Sequence, residues 1–160
     1  MPKKQQGSVY MPHARTEAQR ENMKRIRKDK VDPFDWKHVE RYHTEPILKK
    51  GRYWLITPND YPYEGTSLHL LLIYKKDVRL PSETAPQAWP ELRHHIAWIE
   101  KTYKVKGGSL LMRFGDPSMT GGSVHHLHLH VIVGGKRRAG AEKLKVTAGY
   151  QAKKNVRRPR

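Results

Sequence analysis

His126-Leu-His-Leu-His130, running on into Val131-Ile132-Val133, alternates imidazole and aliphatic side chains without a break through its first five residues. A strand turns successive side chains to opposite faces, so a period of two places His126, His128 and His130 on one face and Leu127 and Leu129 on the other. Four of the chain's ten histidines fall between residues 125 and 130. Each buried imidazole needs partners for two ring nitrogens, so scattered structural histidines do not cluster in this way. The stretch predicts a strand over 126–133 that presents three imidazoles to one surface.

Such a surface has three readings. It can be the polar face of an exposed strand. It can clamp zinc, since histidines at i and i+2 of a strand converge on one ion and imidazole is its usual nitrogen ligand. No Asp or Glu lies within nine residues of His126 to His130, however, so a fourth ligand or a supporting carboxylate has to come from far away in sequence. Thirdly, it can carry covalent catalysis, in which one imidazole attacks phosphorus while its neighbours fix its tautomer and stabilise its charge. The residues just ahead favour this reading. Thr120-Gly121-Gly122-Ser123 can offer backbone N–H groups and a hydroxyl to phosphate oxygens, because glycine allows close backbone approach and an anion-cradling turn.

Upstream, Tyr53-Trp-Leu-Ile-Thr57 reads as a short strand ended by Pro58, and Asn59 to Thr66 is rich in turn residues. Leu68-His-Leu-Leu-Leu-Ile-Tyr74 is the near-continuous apolar run of a strand covered on both faces. Trp89, Leu92, Ile96, Ile99 and Tyr103 recur at helical spacing and predict a helix packed on the sheet. Thr84 and Gln87 are placed to form its capping box, and Pro90 calls for a kink or a late start. Ser109 to Phe114 is a further strand, followed by a glycine-containing loop from Gly115 to Gly122. Glu17 to Lys30 has helix-forming composition but only Met23 and Ile26 as apolar anchors, so its helix needs another surface to fold against.

The 160 residues carry a formal charge of +17, and that charge is concentrated at the ends. Residues 1–30 hold nine Lys or Arg against three acids, residues 136–160 hold ten against one, and the middle 105 residues carry only +2. A single domain over about residues 31–150 is therefore expected, between a basic N-terminal extension (1–30) and a basic tail (151–160). Such ends either bind phosphate backbones without sequence preference or keep the chain in solution. With no cysteine in the chain, disulfide scaffolds, thiol catalysis and Cys-based metal sites are excluded. No apolar run approaches the roughly 18 residues of a membrane span, and the start Met1-Pro-Lys-Lys-Gln-Gln lacks the apolar core of a signal peptide. A cytoplasmic protein without membrane contact is expected.

His126-Leu-His-Leu-His130-Val-Ile132 resembles the signature of the histidine triad (HIT) family. The resemblance extends through Gly121-Gly-Ser-Val124, Arg113-Phe-Gly115, Asn59-Asp-Tyr-Pro-Tyr63 and Leu68-His-Leu-Leu-Leu-Ile73, and is greatest to the bacterial branch with diadenosine polyphosphate hydrolases and phosphorylases. It implies an α+β fold, a five-stranded antiparallel sheet with two helices, paired as a homodimer. It also implies hydrolysis or transfer of a nucleoside monophosphate group at the α-phosphate of an adenine nucleotide conjugate, with no metal or other cofactor demanded. Carried onto this sequence, His128 would be the nucleophile, His126 and His130 its partners, His69 a residue lining the site, and Ser123 a contact to the phosphate or leaving group. Asn59 would hold the ribose, with Arg113, Gly121 and Gly122 at the phosphate. Arg113 departs from the family's usual asparagine, Asp77 stands where a histidine is common, and the stretch from Asn59 to His69 is two residues longer than usual. The rival readings are a nucleotide- or nucleic-acid-binding module without turnover, and processing of adenylated nucleic-acid ends.

Overall fold

The histidine strand is the last of five in sequence but lies inside the sheet. In the computed structural model, which describes residues 7–152, β1 (Lys49–Lys50), β2 (Trp54–Pro58), β3 (Leu68–Tyr74), β4 (Ser109–Arg113) and β5 (His128–Val133) form one antiparallel sheet in the order β1-β2-β3-β5-β4. Most of the expected tail at 151–160, and the first six residues of the N-terminal extension, lie outside the described residues.

Both faces of the sheet are covered, which is why β3 reads as an apolar run instead of an alternation. One face, made by Trp54, Ile56, Leu70, Leu72, Leu129 and Val131, packs on α3 (Ala88–Thr102) through Ala88, Leu92 and Ile99. The other carries Leu55, Leu71 and Ile73 with His128 and His130, and is covered by Phe34 and Val39. The register sets Ile73 and Arg113 on either side of His128, and Leu71 and Leu111 on either side of His130.

Helix α1 (Glu17–Asp29) finds its surface on the domain itself. Thr16 caps it by accepting the Gln19 N–H at 3.1 Å, and Gln19, Met23 and Ile26 form its buried stripe. Met23 and Ile26 pack with Val9 and Tyr42, the Asn22 amide donates to the Tyr42 carbonyl at 3.0 Å, and Val9 pairs with Val124 just before β5. The segment read from its charge as an extension thus runs across the histidine face. Two single-turn helices, α2 (Val39–Tyr42) and α4 (Pro117–Thr120), complete the described elements besides short 3-10 turns.

Helix α3 differs from its sequence reading in two respects. Its buried stripe is Ala88, Leu92, His95 and Ile99, while Trp89 and Tyr103 lie at the margins, 42% and 39% exposed. Thr84 and Gln87 form no capping box: Gln87 is the N-cap without a side-chain bond, and Thr84 Oγ1 accepts the Trp89 indole N–H at 3.0 Å. Pro90 falls in the first turn, where no intrahelical acceptor awaits its missing N–H. Glu91 faces the β1–β2 turn and accepts the N–H groups of Arg52, Tyr53 and Trp54 at 3.1, 2.9 and 2.9 Å. Gly51 makes that approach possible, since a Cβ there would overlap Glu91 Oε1 and lie 2.6 Å from His95 Nε2. No described helix is long and apolar enough to cross a membrane.

Candidate active site

Strand alternation holds through the run: Leu127 packs with Leu129 and Val131 toward α3, and Phe34 on the opposite face meets the His126 and His128 rings at 6.3 and 5.0 Å. The ladder begins at His128; at Leu127 the carbonyl still accepts the Tyr74 N–H of β3 at 3.2 Å, while the Leu127 N–H donates to the Val78 carbonyl at 2.9 Å. His128 and His130 line a cavity of about 2720 Å³ that spreads from the sheet toward residues 134–147, and the His126 ring lies outside that lining. Instead His126, 1% exposed, sits behind Phe34 with Nδ1 2.5 Å from Asp32 Oδ2 and Nε2 against the Tyr74 carbonyl. Both neighbours only accept, so both ring nitrogens carry protons and His126 is an imidazolium. Burial opposes that charge, but the Asp32 carboxylate outweighs it and holds the imidazole above its ordinary pKa; Asp32 is correspondingly held below the usual carboxylate range.

The backbone carbonyl of this anchored residue sets the state of the next histidine. His128 Nδ1 lies 2.7 Å from the His126 carbonyl, so the proton is on Nδ1 and the lone pair on Nε2. Burial pushes its pKa down to about 4, keeping the ring neutral near pH 7, and Phe34 packs edge-on against it at 5.0 Å.

His69 and His130 form a second chain of protons. His69 Nδ1 lies 3.1 Å from the Tyr63 N–H, and its Nε2 lies 2.8 Å from His130 Nδ1, so one proton bridges the two rings. The Arg113 Nη1–H points at His130 Nε2 at 3.1 Å. Burial, then the Arg15 and Arg113 charges, lower His69 to about 4; burial and then His128 hold His130 well below its ordinary value.

The remaining sequence candidates stand around these rings. Among the described residues Arg113 has no carboxylate partner; it donates to the carbonyls of Thr120 at 3.0 Å and Thr147 at 2.6 Å. Asn59 lies beside His69, with its Nδ2 3.1 Å from His69 Nε2 and its Oδ1 accepting the Tyr61 N–H at 3.0 Å. The added length between Asn59 and His69 is taken up by a loop that folds Tyr63 onto His69 and His130, at ring separations of 4.6 and 5.9 Å. Ser123 lines the cavity, its Oγ accepting from Gln19 Nε2 at 3.3 Å. Gly121 and Gly122 also line it, although the Gly122 N–H is taken by Thr120 Oγ1 at 3.2 Å. Gly121 ends α4 in the left-handed region at φ 72°, and a Cβ there would lie 2.9 Å from Thr147 Cγ2.

Sequence reasoning missed Asp32, Phe34, Tyr63 and Arg15. The carboxylate that supports the histidines comes from 94 residues upstream of His126, and nothing local in the sequence marks it. Asp77, the departure after β3, lies 4.0 Å from His126 Nδ1. Asp32, Asp77 and His126 are the one group among the described residues with metal-ligand proximity, and within it Asp32 Oδ2 accepts from His126 Nδ1. His128 turns Nδ1 to the His126 carbonyl, and His130 lies between His69 and the Arg113 guanidinium.

No protein-family model matches the sequence, and no curated protein does. Among solved structures, one described as a HIT-like protein superposes with a TM-score of 0.54 and 21% identity, over 66% of this chain and 100% of its own. A hypothetical protein from Leishmania major gives 0.50 and 16%, over 68% of this chain and 80% of its own. A hypothetical histidine triad nucleotide-binding protein from Sulfolobus tokodaii gives 0.48 and 22%, over 71% and 77%. With a five-stranded antiparallel sheet whose interior last strand carries the His-Leu-His-Leu-His run, and with the HIT-like protein superposing over its full length, this chain has the histidine triad fold.

Proposed function

We propose that the chain is a histidine triad nucleotide hydrolase or nucleotidyl transferase in which His128 attacks the α-phosphate of an adenine nucleotide conjugate. The observation that carries this reading is the bond from His128 Nδ1–H to the His126 carbonyl, which leaves Nε2 as an unprotonated nucleophile at the cavity. Nε2 bonds to phosphorus, and the bond to the leaving group breaks with its electron pair. Water then attacks the nucleotidyl-histidine and gives up a proton to solvent, the P–N bond breaks with its electron pair returning to Nε2, and the monophosphate leaves with the neutral imidazole restored. As His128 gains positive charge its Nδ1–H stays on the His126 carbonyl. The Arg113 guanidinium stands beside His130 at the cavity, and a phosphoryl oxygen can accept from it while negative charge grows on that oxygen. Ser123 and the Gly121–Gly122 turn form the rim beside it, and in this reading Asn59, which lines the same cavity, contacts the ribose.

The homodimer belongs to the same proposal. Strand β4 is an edge, Leu110 on it is 54% exposed, and a groove lined by Trp89, Ile96, Leu110 and Met112 runs beside it. Trp98, off the core-facing stripe in sequence, is partly covered within the protomer, with the Lys49 ammonium 5.0 Å from its ring. A monomer mass by light scattering at micromolar concentration would refute the pairing. The chemistry is tested with His128→Ala and mass spectrometry of quenched reactions. A nucleotidyl adduct on His128 is expected, and a variant keeping more than about a tenth of the activity would overturn the assignment.

A further inference from the structure

The cavity has more cationic charge than one phosphoryl group uses. Arg15 and Arg113 both line it, and neither has a carboxylate within salt-bridge distance among the described residues. Arg113 is committed: two of its donors hold the carbonyls of Thr120 and Thr147, and a third faces His130. Arg15 is not. Its backbone N–H donates to Gln19 Oε1 at 2.9 Å, one guanidinium nitrogen donates to the Tyr61 carbonyl, and its Cζ lies 4.4 Å from the centre of the Tyr63 ring. These contacts fix the plane of the group and leave most of its five donors to the cavity. Tyr63, in turn, lies nearly parallel to His130, at 20° and 5.9 Å.

Beyond Arg15 the cavity continues along a segment bearing Lys136, Arg137, Arg138, Lys143 and Lys145. Its volume of about 2720 Å³ exceeds the roughly 300–1,000 Å³ of an ordinary small-ligand pocket. A substrate whose charge ended at the α-phosphate would leave this region unmatched. A protonated amine leaving group would be repelled by it.

We propose that Arg15, supplied by the segment ahead of α1, is a second phosphate-binding cation that makes a phosphate chain, and not an amine, the preferred leaving group. This rests on the hydrolase reading above and names the leaving-group class for the same site. Arg113 serves the phosphoryl group under attack; Arg15 serves the phosphate that departs. With its bridging oxygen leaving as part of an anionic chain, the departing group needs a cation more than it needs a proton.

The test uses the full-length protein with two substrates of one nucleoside, a dinucleoside polyphosphate and a nucleoside phosphoramidate, in wild type and Arg15→Ala. The wild type should prefer the polyphosphate. In the variant the ratio of kcat/KM for polyphosphate over phosphoramidate should fall about 10- to 100-fold, the effect of one charge-assisted bidentate contact. Equal losses on both substrates, or a wild-type preference for the phosphoramidate, would overturn the assignment. Turnover of neither substrate would overturn the hydrolase reading instead. Calorimetry of inorganic tripolyphosphate binding at fixed salt then decides the subsite: a loss of about tenfold or more in Arg15→Ala supports it, and equal affinity refutes it.

Discussion

Replacing Asp32 by asparagine keeps the size of the side chain and removes the charge that makes His126 an imidazolium. The ring is 1% exposed, and its other nitrogen already faces the Tyr74 carbonyl. In Asp32→Asn the ring either keeps both protons as a buried, uncompensated cation or gives one up and leaves an acceptor unpaired. Breaking a buried pair from one side costs about 3–5 kcal/mol, and the partial exposure of Asp32, 15% of its side chain, places the expected loss near the lower end, about 3 kcal/mol. In a chain of this size that lowers Tm by roughly 10 °C. The pH dependence follows from the two shifts. His126 is raised, so its contribution is fully present below the ordinary histidine value of about 6.5 and is lost as pH rises through the raised value. Asp32 is lowered, so its contribution is present above the ordinary value of about 3.9 and is lost as pH falls through the lowered one. Urea denaturation of wild type and variant should therefore differ most between about pH 4 and 6.5. Nitrogen-15 NMR of the imidazoles should show His126 doubly protonated at pH 7 in the wild type and neutral in the variant. A stability difference below about 1 kcal/mol at pH 6, or one that does not change with pH, would refute the ion pair.

His128→Ala should lower turnover by roughly 10³-fold or more with an unchanged fold by circular dichroism. The kcat/KM profile should fall on acidification toward about pH 4, where His128 and His69 take up protons and the nucleophile is lost; a limb near neutrality would contradict their burial. Met23→Ala, on the buried stripe of α1, should cost about 2–4 kcal/mol in urea denaturation if the helix is docked as described. Gly51→Ala should cost about 1–3 kcal/mol because its Cβ meets Glu91 and His95, and Glu91→Gln combined with it should recover little.

The strands were legible in the sequence because their signals are local. The β3 run announced two covered faces, and the two-residue period put the imidazoles on one face and Leu127 and Leu129 on the other. His126 keeps that face but not the cavity, because Asp32 and the Tyr74 carbonyl hold its ring behind Phe34. For α3, spacing alone could not separate two overlapping stripes. The run through Trp89, Ile96 and Tyr103 scored the larger apolar side chains, but the sheet took the narrower side with Ala88 and the histidine at 95. The supporting shell was not legible. Asp32, Tyr63 and Arg15 look like ordinary turn and surface residues until the fold brings them to the histidines, and net charge obscured the apolar anchoring of α1 by Met23 and Ile26.

The position of β5 bears on how the molecule assembles. A strand that is last in sequence but lies between two earlier ones cannot be laid down by growth of the sheet from its N-terminal end. β3 and β4 remain unjoined until residues 128–133 pair with both, closing loops of some 60 residues on one side. The Asp32 contact, spanning 94 residues, can form only after that insertion. Such long-range closure is slow relative to helix formation, so a chain halted before residue 133 would expose the edges of β3 and β4 and leave the histidine face incomplete. The histidine site is then assembled in a single late step, and refolding followed by His128 and His130 imidazole NMR signals should lag refolding followed by helix signal.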